Sequence, residues 1–419
     1  MKSFKGKKLL ILAGAAVHCK VVEAAKDMGV HTIVTDYLES SPAKEMADEK
    51  WMLNITDVDA IVERCREEHV DGVLNFCIDP AQRPYVQICE RLGLPCFATS
   101  GQMHIMTDKP SFKEFCIENG LDVIPAYTPS DIENGNCEYP IFVKPTDSRG
   151  SRGQAVCYNK EEARIAIEQA KKESSNGGVV IEKFMQGKQD FSMTYFFANG
   201  KPHLTRTGDR YLGKIEDGLN KQCIGSVSPS FNTQMYLGNV HDRVVKALTR
   251  IGIKNGPIFM QGFVDGDTVR FYDPGLRFPG TDYEKLLLEA TGINLMKELI
   301  SFALGGDISD YEGKLAEGYL LDGKLSVQLL VSARAGTIAT FDGIDEISAH
   351  PDVVTVSQRY FPGETIPPSG DVKQRICEIV ILSDRSCAKE TAEWVYSKLK
   401  VLDSDGNDML VSRFNTDKL

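Results

Sequence analysis

Strand and helix patterns alternate through the first hundred residues, and this alternation is compatible with few folds. The run "KLLILAG" is continuously apolar, as expected for a parallel strand that is covered on both faces. The helical pattern "HCKVVEAAKDMG" follows it, and "HTIVTD", "DVDAIVERCREEHV" and "DGVLNF" continue the order as strand, helix and strand. This spacing predicts a doubly wound parallel sheet. Its ligand crevice is expected at the carboxyl ends of the strands, near Gly14 to His18 and Cys77 to Pro80.

This crevice lacks the signature of a dinucleotide site. The first turn reads "AGAAVHC", without the Gly-x-Gly-x-x-Gly spacing that lets the backbone approach a pyrophosphate. Asp36 follows the second strand, where an acid can bind a ribose, but acids are also common there as plain loop carboxylates. NAD binding is therefore disfavoured.

Length and charge restrict the class of protein. With 419 residues the chain is too long for one ordinary core, which predicts two to four folding units. The formal net charge of −11 disfavours nucleic acid as the main partner, because phosphate backbones are bound by concentrated Lys and Arg. No apolar run approaches the ~18 residues of a membrane span, and the basic N-terminus is predicted to lead into a buried strand. The 11 cysteines are scattered, as expected for reduced thiols. The prediction is a cytoplasmic protein with no nucleic-acid or membrane partner.

A glycine-rich loop follows the predicted strand that delivers Lys144. In "FVKPTDSRGSRG", two glycines, two serines and two arginines occupy the nine residues after this lysine. Glycines let backbone N–H groups approach an anion, and the arginines supply positive charge. The residues alone are compatible with a phosphate-binding loop and with a plain basic hairpin loop. The loop is not a P-loop, because no Gly-Lys-Ser/Thr closes it.

Two further segments place charged and polar residues at strand ends. In "VVIEKFMQGKQDFS", Glu182 and Lys183 end a buried strand just before Phe184. This arrangement suits a purine and its ribose, and it equally suits a hairpin with charged flanks. Gln261 in "FMQGF" and Asp273 in "FYDPGLRFPG" are predicted to point from neighbouring strands of a hairpin. Oxygen ligands on rigid strands suit Mg²⁺.

The order and spacing of these elements resemble the ATP-grasp superfamily, in its biotin-carboxylase, carbamoyl-phosphate-synthetase and glycinamide-ribonucleotide-synthetase-like branch. The resemblance runs from "LLILAG" through "LRFPG" and more loosely to the end of the chain. It implies a mixture of α/β and α+β structure, with a Rossmann-like preATP-grasp domain over residues 1–105. A two-subdomain ATP-grasp domain would follow over 106–310, with its nucleotide-clasping small subdomain at about 125–190. Short alternating runs after about Gly323 predict a β-rich C-terminal domain over 311–419, which resembles that of amino-acid ligases.

The resemblance implies a set of ATP contacts. Two lysines would contact the α- and β-phosphates, a mobile loop would close over the β- and γ-phosphates, and a linker would hold the adenine. An aspartate would take the place of the usual ribose-binding glutamate, with Gln189 as the competing assignment. The implied ATP-binding residues are Lys109, Lys144, Ser148, Arg149, Gly150, Ser151, Gly153, Glu182, Lys183, Phe184 and Asp190.

The resemblance also implies metal-binding and catalytic residues. Gln261 and Asp273 resemble the metal ligands, and Arg210 resembles a basic residue that reaches the terminal phosphates. Asp273 and Arg277, four residues apart, could by themselves form a surface ion pair. Within "DPGLR" they instead resemble the family's Glu-x-Asn-x-Arg, whose arginine holds the carboxylate or acyl-phosphate. Aspartate replaces the glutamate, and Gly275 replaces the asparagine, which deletes a metal ligand.

The predicted function is that of an ATP-dependent, ADP-forming carboxylate–amine ligase that acts through an acyl-phosphate on an amino acid or other small carboxylate. The implied cofactors are ATP and Mg²⁺, with Mn²⁺ as the alternative ion. The implied partners are a small carboxylate, an amine and a second copy of the chain. Two alternatives stay open. One is a regulatory or scaffold protein with a degenerate nucleotide site, and the other is an enzyme that phosphorylates bicarbonate or a carboxylate as carbamoyl-phosphate synthetases do.

Overall fold

A four-stranded parallel sheet forms the N-terminal part of the chain. The computed structural model describes residues 4–146, 153–174, 177–215, 222–309, 317–370 and 372–419. The sheet has the strand order β3-β2-β1-β4, so the order reverses between β1 and β4 and leaves a crevice at their carboxyl ends. The predicted doubly wound sheet is confirmed. Its elements are β1 (Lys8–Leu12), α1 (Cys19–Asp27), β2 (His31–Thr35), α2 (Pro42–Met46), β3 (Glu49–Trp51), α3 (Val58–Glu67), β4 (Gly72–Leu74), α4 (Gln82–Leu92), α5 (Ser100–Ile105) and α6 (Lys109–Glu118).

Asp36 closes a loop at the end of β2. Its carboxylate accepts hydrogen bonds from the backbone N–H groups of Gly14, at 2.9 Å, and Leu38, at 2.9 Å. A Cβ at Gly14 would lie 2.0 Å from Ser41 Oγ, so the turn after β1 is packed against this loop. The carboxylate thus has the loop-closing role that its sequence position also suggested.

A small four-stranded antiparallel sheet with one long helix forms a separate lobe. The sheet has the order β5-β8-β6-β7. Its core is made by Ile141, Val143 and Ile181 of the sheet and by Ala163 and Ile167 of the helix. The elements are β5 (Ala126–Tyr127), α7 (Pro129–Asn134), β6 (Ile141–Pro145), β7 (Ala155–Cys157), α8 (Lys160–Glu173) and β8 (Val179–Lys183). This lobe is called the small lobe below.

The largest sheet is antiparallel and continues from the middle of the chain into its C-terminal part. Its path is β13-β12-β9-β10-β11-β14-β19-β17, and β21 pairs with β14 beside this path. The strands and helices of the middle part are β9 (Asp190–Ala198), β10 (Lys201–Gly213), β11 (Gln222–Ser228), α9 (Thr233–Asn239), α10 (His241–Arg250), β12 (Gly256–Asp265), β13 (Thr268–Gly275), α11 (Tyr283–Thr291) and α12 (Leu295–Gly305). β12 and β13 form the predicted hairpin, and its turn contains Asp265 and Gly266.

The C-terminal strands join this sheet and also build a core of their own. The elements are β14 (Leu325–Ala333), β15 (Gly336–Thr337), β16 (Thr340–Asp342), α13 (Ile344–Ser348), β17 (Val353–Gln358), β18 (Thr365–Ile366), β19 (Arg375–Ser383), α14 (Ala388–Lys398), β20 (Lys400–Leu402) and β21 (Leu410–Val411). β14 pairs with β11, although the two strands are far apart in the sequence. A separate hydrophobic cluster includes Ile379, Ala392 and Val401. The predicted domain boundary at 310/311 lies outside the described residues, and the division of the chain into domains stays a prediction.

The N-terminal sheet and the β13-β12-β9-β10 half of the large sheet share one hydrophobic core. α12 packs so closely on β4 that a Cβ at Gly72 would lie 2.4 Å from the carbonyl oxygen of Ala303. The rings of Phe97 and Phe302 stack with their centroids 4.9 Å apart. The small lobe is not part of this core. In the described parts of the chain, no helix has the length and apolar character needed to cross a bilayer.

Candidate functional site

A cleft of about 290 Å³ lies over the face of the large sheet. Residues of β10, β11, β12, β14 and β19 form its floor, and the segment that follows β13 forms one wall. The lining residues share a polar, strongly cationic character with a few apolar contacts. They are Arg206, Arg210, Cys223, Ser226, Phe259, Gln261, Arg277, Pro279, Gly280, Thr281, Gln328, Leu330 and Arg375.

Asp273, Gln261 and Lys109 meet beside this cleft. Gln261 pairs with Asp273 across the β12–β13 ladder, so their side chains lie on one face. Lys109 is the first residue of α6, and its Nζ lies 3.9 Å from Asp273 Oδ1. Burial raises the pKa of Asp273, and the neighbouring lysine opposes that shift. The predicted metal ligands and one predicted phosphate lysine are therefore close together.

The amide of Gln261 lies between a carboxylate and a guanidinium. The amide has two possible orientations. In one of them it hydrogen-bonds both neighbours, with its nitrogen 3.3 Å from Asp273 Oδ2 and its oxygen 2.5 Å from Arg210 Nη1. The opposite rotation turns the amide oxygen toward Asp273, which is the orientation that a cation between the two oxygens would favour. These two residues fit Mg²⁺ as a partial ligand set that phosphate oxygens and water would complete. In the described residues no group of three or more His, Cys, Asp or Glu is arranged to hold a metal ion.

Arg277 reaches from the segment after β13 to the N-terminal sheet. Its Nε donates to Asp79 Oδ1 at 2.5 Å, and its Nη2 donates to Asp79 Oδ2 at 3.1 Å. Asp79 follows β4 at the crevice where the strand order reverses. Gln82 stabilises this junction, because its side chain accepts from the N–H of Leu276 and donates to Asp79. The arginine is thus held between the two sheets, with one face toward the cleft.

Gly275 has an ordinary backbone conformation that does not require glycine. It is not one of the positive-φ glycines. A Cβ at this position would lie 3.3 Å from Arg277 Cγ and 3.6 Å from Gln82 Oε1. A larger side chain therefore has to displace part of Arg277. In this chain, the absence of a side chain at Gly275 leaves space for Arg277 between the two sheets.

Arg210 and Asp190 form a buried ion pair on the cleft floor. Arg210 Nη1 lies 2.9 Å from Asp190 Oδ2, and Tyr272 donates its hydroxyl to Asp190 Oδ1 at 3.1 Å. Burial raises the pKa of Asp190, and Arg210 opposes this shift. The Gln189 side chain donates to the carbonyl oxygens of Asp190 and Arg210. Both candidates for the ribose are therefore engaged within the protein here, and the choice between them stays a prediction.

Two lysines flank Glu182 where the small lobe meets α6. Lys144 Nζ lies 3.0 Å from Glu182 Oε2, and Lys113 Nζ lies 3.5 Å from Glu182 Oε1. Lys183 pairs with Glu138, and the ring of Phe184 packs against Phe142 with centroids 6.2 Å apart. The predicted linker residues thus line the edge of the small lobe.

The glycine-rich loop is described only at its end. Ser148, Arg149, Gly150 and Ser151 lie outside the described residues. Gly153 has φ +68°, and a Cβ there would lie 2.9 Å from Pro145 Cγ. Both its conformation and its neighbours therefore require glycine at this position.

Sequence motifs do not assign a role to several residues of the site. Asp79 lies in the predicted crevice segment Cys77 to Pro80, but no motif links it to Arg277, and no motif singles out Lys113, which contacts Glu182. Arg375 is the first residue of β19, and nothing in "RICEIVILS" distinguishes it from a strand-end arginine. Only the pairing of β19 with β14 brings this residue to the cleft.

Two family models match the chain. The model described as "PylC-like, N-terminal domain" matches residues 9–82, and "Carbamoyl-phosphate synthase L chain, ATP binding domain" matches residues 108–195. A relative at 24% identity is the 2-oxoglutarate carboxylase small subunit of Hydrogenobacter thermophilus, over 59% of this chain and 56% of the relative. The chain spans about half the length of the first curated relatives that it matches.

Solved structures share the fold over almost the whole chain. Phosphoribosylglycinamide synthetase from Anaerococcus prevotii has a TM-score of 0.77 at 17% identity, covering 95% of this chain and 100% of that one. L-amino acid ligase from Bacillus licheniformis has a TM-score of 0.75 at 20% identity, and the match covers 95% of this chain and 99% of that one. A third structure is the biotin carboxylase domain dimer of the Hydrogenobacter thermophilus 2-oxoglutarate carboxylase, which was solved with MgADP, ADP and bicarbonate. Its TM-score is 0.73 at 19% identity, and the match covers 94% of this chain and 90% of that one. The chain is thus similar to these two family models over residues 9–82 and 108–195, and it shares its fold with the three solved structures.

Proposed function

We propose that the chain is an ATP-dependent, ADP-forming ligase that joins a small carboxylate to an amine through an acyl-phosphate. One observation carries the proposal. Asp273, Lys109 and Arg277 meet where the large sheet, α6 and the N-terminal crevice adjoin the cationic cleft. An acid for a metal ion, a cation for phosphate and an arginine for a carboxylate are the groups that phosphoryl transfer to a carboxylate requires.

The nucleotide would lie between the small lobe and the large sheet. Lys144 and Lys109 reach this space from the two sides, and Glu182, Lys183 and Phe184 line the edge where we place the base. Mg²⁺ held by Asp273 and Gln261 would neutralise charge on the β- and γ-phosphates. The biotin carboxylase domain from Hydrogenobacter thermophilus was solved in complex with MgADP, which supports this choice of ion and nucleotide.

The acyl chemistry would take place at Arg277. This arginine orients the carboxylate so that one oxygen attacks the γ-phosphorus, and the bond to the β–γ bridging oxygen breaks as ADP leaves with the electron pair. The amine then attacks the acyl carbon, orthophosphate leaves, and the amine loses its proton to solvent. Charge at the phosphates is offset by the lysines and by Arg210. An amino acid is the carboxylate class that the fold shared with the Bacillus licheniformis L-amino acid ligase favours.

The products of ATP cleavage test the proposal. With the correct acid and amine, we expect ADP and orthophosphate. Without the amine, hydroxylamine should trap the acyl-phosphate as a hydroxamate, and ¹⁸O from a labelled carboxylate should appear in the phosphate. A coupled ADP-release screen over pairs of amino acids, dipeptides and small carboxylates would find the substrates. Formation of AMP and pyrophosphate would contradict the proposal, because that outcome requires an adenylate.

Lys144→Ala is expected to raise the ATP dissociation constant at least about tenfold, because a charge-assisted contact to a phosphate is lost. The thermal midpoint should stay unchanged, since Glu182 keeps its contact with Lys113. Isothermal titration with a non-hydrolysable ATP analogue measures the effect. Lys171→Ala is the matched control, because Lys171 lies on α8 of the same lobe and pairs only with Glu168 among the described residues. An unchanged affinity would remove Lys144 from the nucleotide site.

Gly275 stands where the resembled pattern has a metal-binding asparagine, and the loss of that ligand favours a second candidate, a nucleotide-binding regulatory protein. Such a protein would show ATP-dependent thermal stabilisation and no ADP release with any pair of substrates. ADP release with bicarbonate alone would instead favour a carbamoyl-phosphate-synthetase-like reaction.

The dimer formed by the Hydrogenobacter thermophilus domain leads us to propose a homodimer, which light scattering tests.

A further inference from the structure

Four arginines line the cleft, but carboxylates neutralise only two of them. Arg210 pairs with Asp190, and Arg277 pairs with Asp79. Arg206 and Arg375 have only uncharged hydrogen-bond partners among the described residues. A buried cation without a counter-ion is costly, and an anionic ligand removes that cost.

Arg206 lies flat on the floor of the cleft. It is 7% exposed, and its Nη1 and Nη2 donate to Ser192 Oγ at 3.1 Å and Ser226 Oγ at 2.6 Å. A Cβ at Gly208 would lie 2.8 Å from Arg206 Nη2, so this glycine makes room for the guanidinium on the sheet. The side chain is therefore fixed in one orientation. Burial lowers the pKa of Arg206.

Arg375 approaches the same region from the C-terminal strands. It is 8% exposed, its Nη2 donates to the carbonyl oxygen of Cys223 at 3.3 Å, and its Nε is buried without a hydrogen-bond partner in the described structure. The two acceptors, Cys223 for Arg375 and Ser226 for Arg206, both lie on β11, and both arginines line the same cleft. The protein thus satisfies the hydrogen-bonding capacity of Arg375 only in part.

The nearby acid Glu378 acts electrostatically on Arg206 and Arg375, but it is hydrogen-bonded to other groups. Its carboxylate accepts from Gln328 Nε2 at 2.6 Å and from the backbone N–H of Asp282 at 2.8 Å. Burial, together with Asp282, raises the pKa of Glu378. Neither arginine forms an ion pair with this group.

The position of the two arginines separates them from the metal-binding edge. Asp273 lies on the edge strand β13 and Gln261 on the next strand, β12. The guanidinium of Arg206 spans β9 to β11, and Arg375 reaches β11 from β19. In the strand order both therefore lie beyond β12, on the side away from Asp273.

We propose that the acid substrate carries a second anionic group, a carboxylate or a phosphate, which Arg206 and Arg375 bind while Arg277 holds the reacting carboxylate. The proposal rests on the proposed ligase function and specifies its substrate class. Guanidinium groups match both anions, because each can accept paired hydrogen bonds from one arginine. An amino acid with an acidic side chain and a phosphorylated acid both belong to this class.

Matched pairs of acids test the proposal by binding, independently of turnover. The probes are glutarate with glutaramate, glutamate with glutamine, and 3-phosphoglycerate with glycerate, titrated into the full chain with Mg²⁺ and a non-hydrolysable ATP analogue. In at least one pair, the acid with the second anionic group should bind about tenfold or more tightly than its partner. The pair that shows this preference distinguishes a second carboxylate from a phosphate.

Substitutions connect the preference to the two arginines. Arg206→Gln and Arg375→Gln should each abolish it, whereas Arg413→Gln should keep it, because Arg413 is exposed and pairs with Asp408. Should a glutamine variant fail to fold, Arg206→Lys and Arg375→Lys retain the charge and should reduce the preference by losing the paired geometry.

The binding experiments would overturn the proposal in three cases: no acid with a second anionic group is preferred, the glutamine variants keep the preference, or they weaken binding of the ATP analogue as much as binding of the acid. The last outcome would assign the arginines to the triphosphate. ADP release that is equally fast with mono- and dianionic acids would also overturn the proposal and leave the ligase function intact. A preserved binding preference without ADP release from any acid and amine would instead reject the ligase function and support the anion subsite.

Discussion

Arg277→Ala should lower turnover by about 100-fold or more while the ATP dissociation constant changes by less than about threefold. Removing one preorganised donor from a developing negative charge typically has an effect of this size. Arg277 faces the cleft rather than the small lobe, so it is assigned to the acyl group and not to the nucleotide. Steady-state ADP release gives the turnover, and calorimetric titration with an ATP analogue gives the affinity.

Arg83→Ala is the control for this experiment. Arg83 lies on α4 near the same crevice, is about half exposed, and approaches only Asp108 among the described carboxylates, at 3.8 Å. We expect near-normal turnover from this variant, because a surface ion pair contributes little. Equal losses of turnover and ATP affinity in Arg277→Ala would move this side chain into the nucleotide site and leave the carboxylate without a partner.

Asp273→Asn is expected to lower turnover at a fixed Mg²⁺ concentration by roughly 100-fold, which corresponds to about 3 kcal/mol of lost transition-state stabilisation. The amide keeps the shape of the carboxylate but removes the charge that attracts the metal. Part of the activity should return as the Mg²⁺ concentration rises, so a titration of turnover against Mg²⁺ is the measurement. Because burial raises the pKa of Asp273, the Mg²⁺ requirement of the unsubstituted protein should also rise as the pH falls through that raised pKa.

Asp265→Asn is the matched control, because Asp265 ends β12 of the same hairpin but pairs with Lys188 and Arg270 away from the cleft. Its Mg²⁺ dependence should be unchanged. An Asp273→Asn variant with an unchanged Mg²⁺ dependence would show that the metal is held by other groups.

Local patterns predicted much of the fold. The N-terminal sheet follows from apolar runs that alternate with helical spacing, and the β12–β13 hairpin follows from an Asp-Gly turn between alternating strands. The start of α8 has a local cause of the same kind, because Asn159 caps the helix and its side chain accepts from the N–H of Glu162. In each case, residues close in sequence determine the structure.

The parts that sequence could not predict depend on contacts between distant residues. Arg277 and Asp79 are 198 positions apart, and neither residue type indicates the other as its partner. Arg375 reaches the cleft only because β19 pairs with β14 and β14 pairs with β11. A change in composition after Gly323 predicted a separate β-rich domain, but composition carries no information on whether its strands would extend an existing sheet. Pairing of strand edges is set by tertiary contacts.

The unbroken strand order from β13 to β17 has a consequence for local unfolding. Segments that share a hydrogen-bonded ladder tend to open together, so the strands that carry Asp273 and Arg375 belong to one cooperative unit. Amide hydrogens of β14 and β19 should then exchange with solvent as slowly as those of β9 and β12. Those of the small lobe, which has a core of its own, can exchange through a separate opening of lower free energy. On the proposed assignments, the small lobe would therefore loosen its hold on the nucleotide without disturbing the surface that would bind the acid.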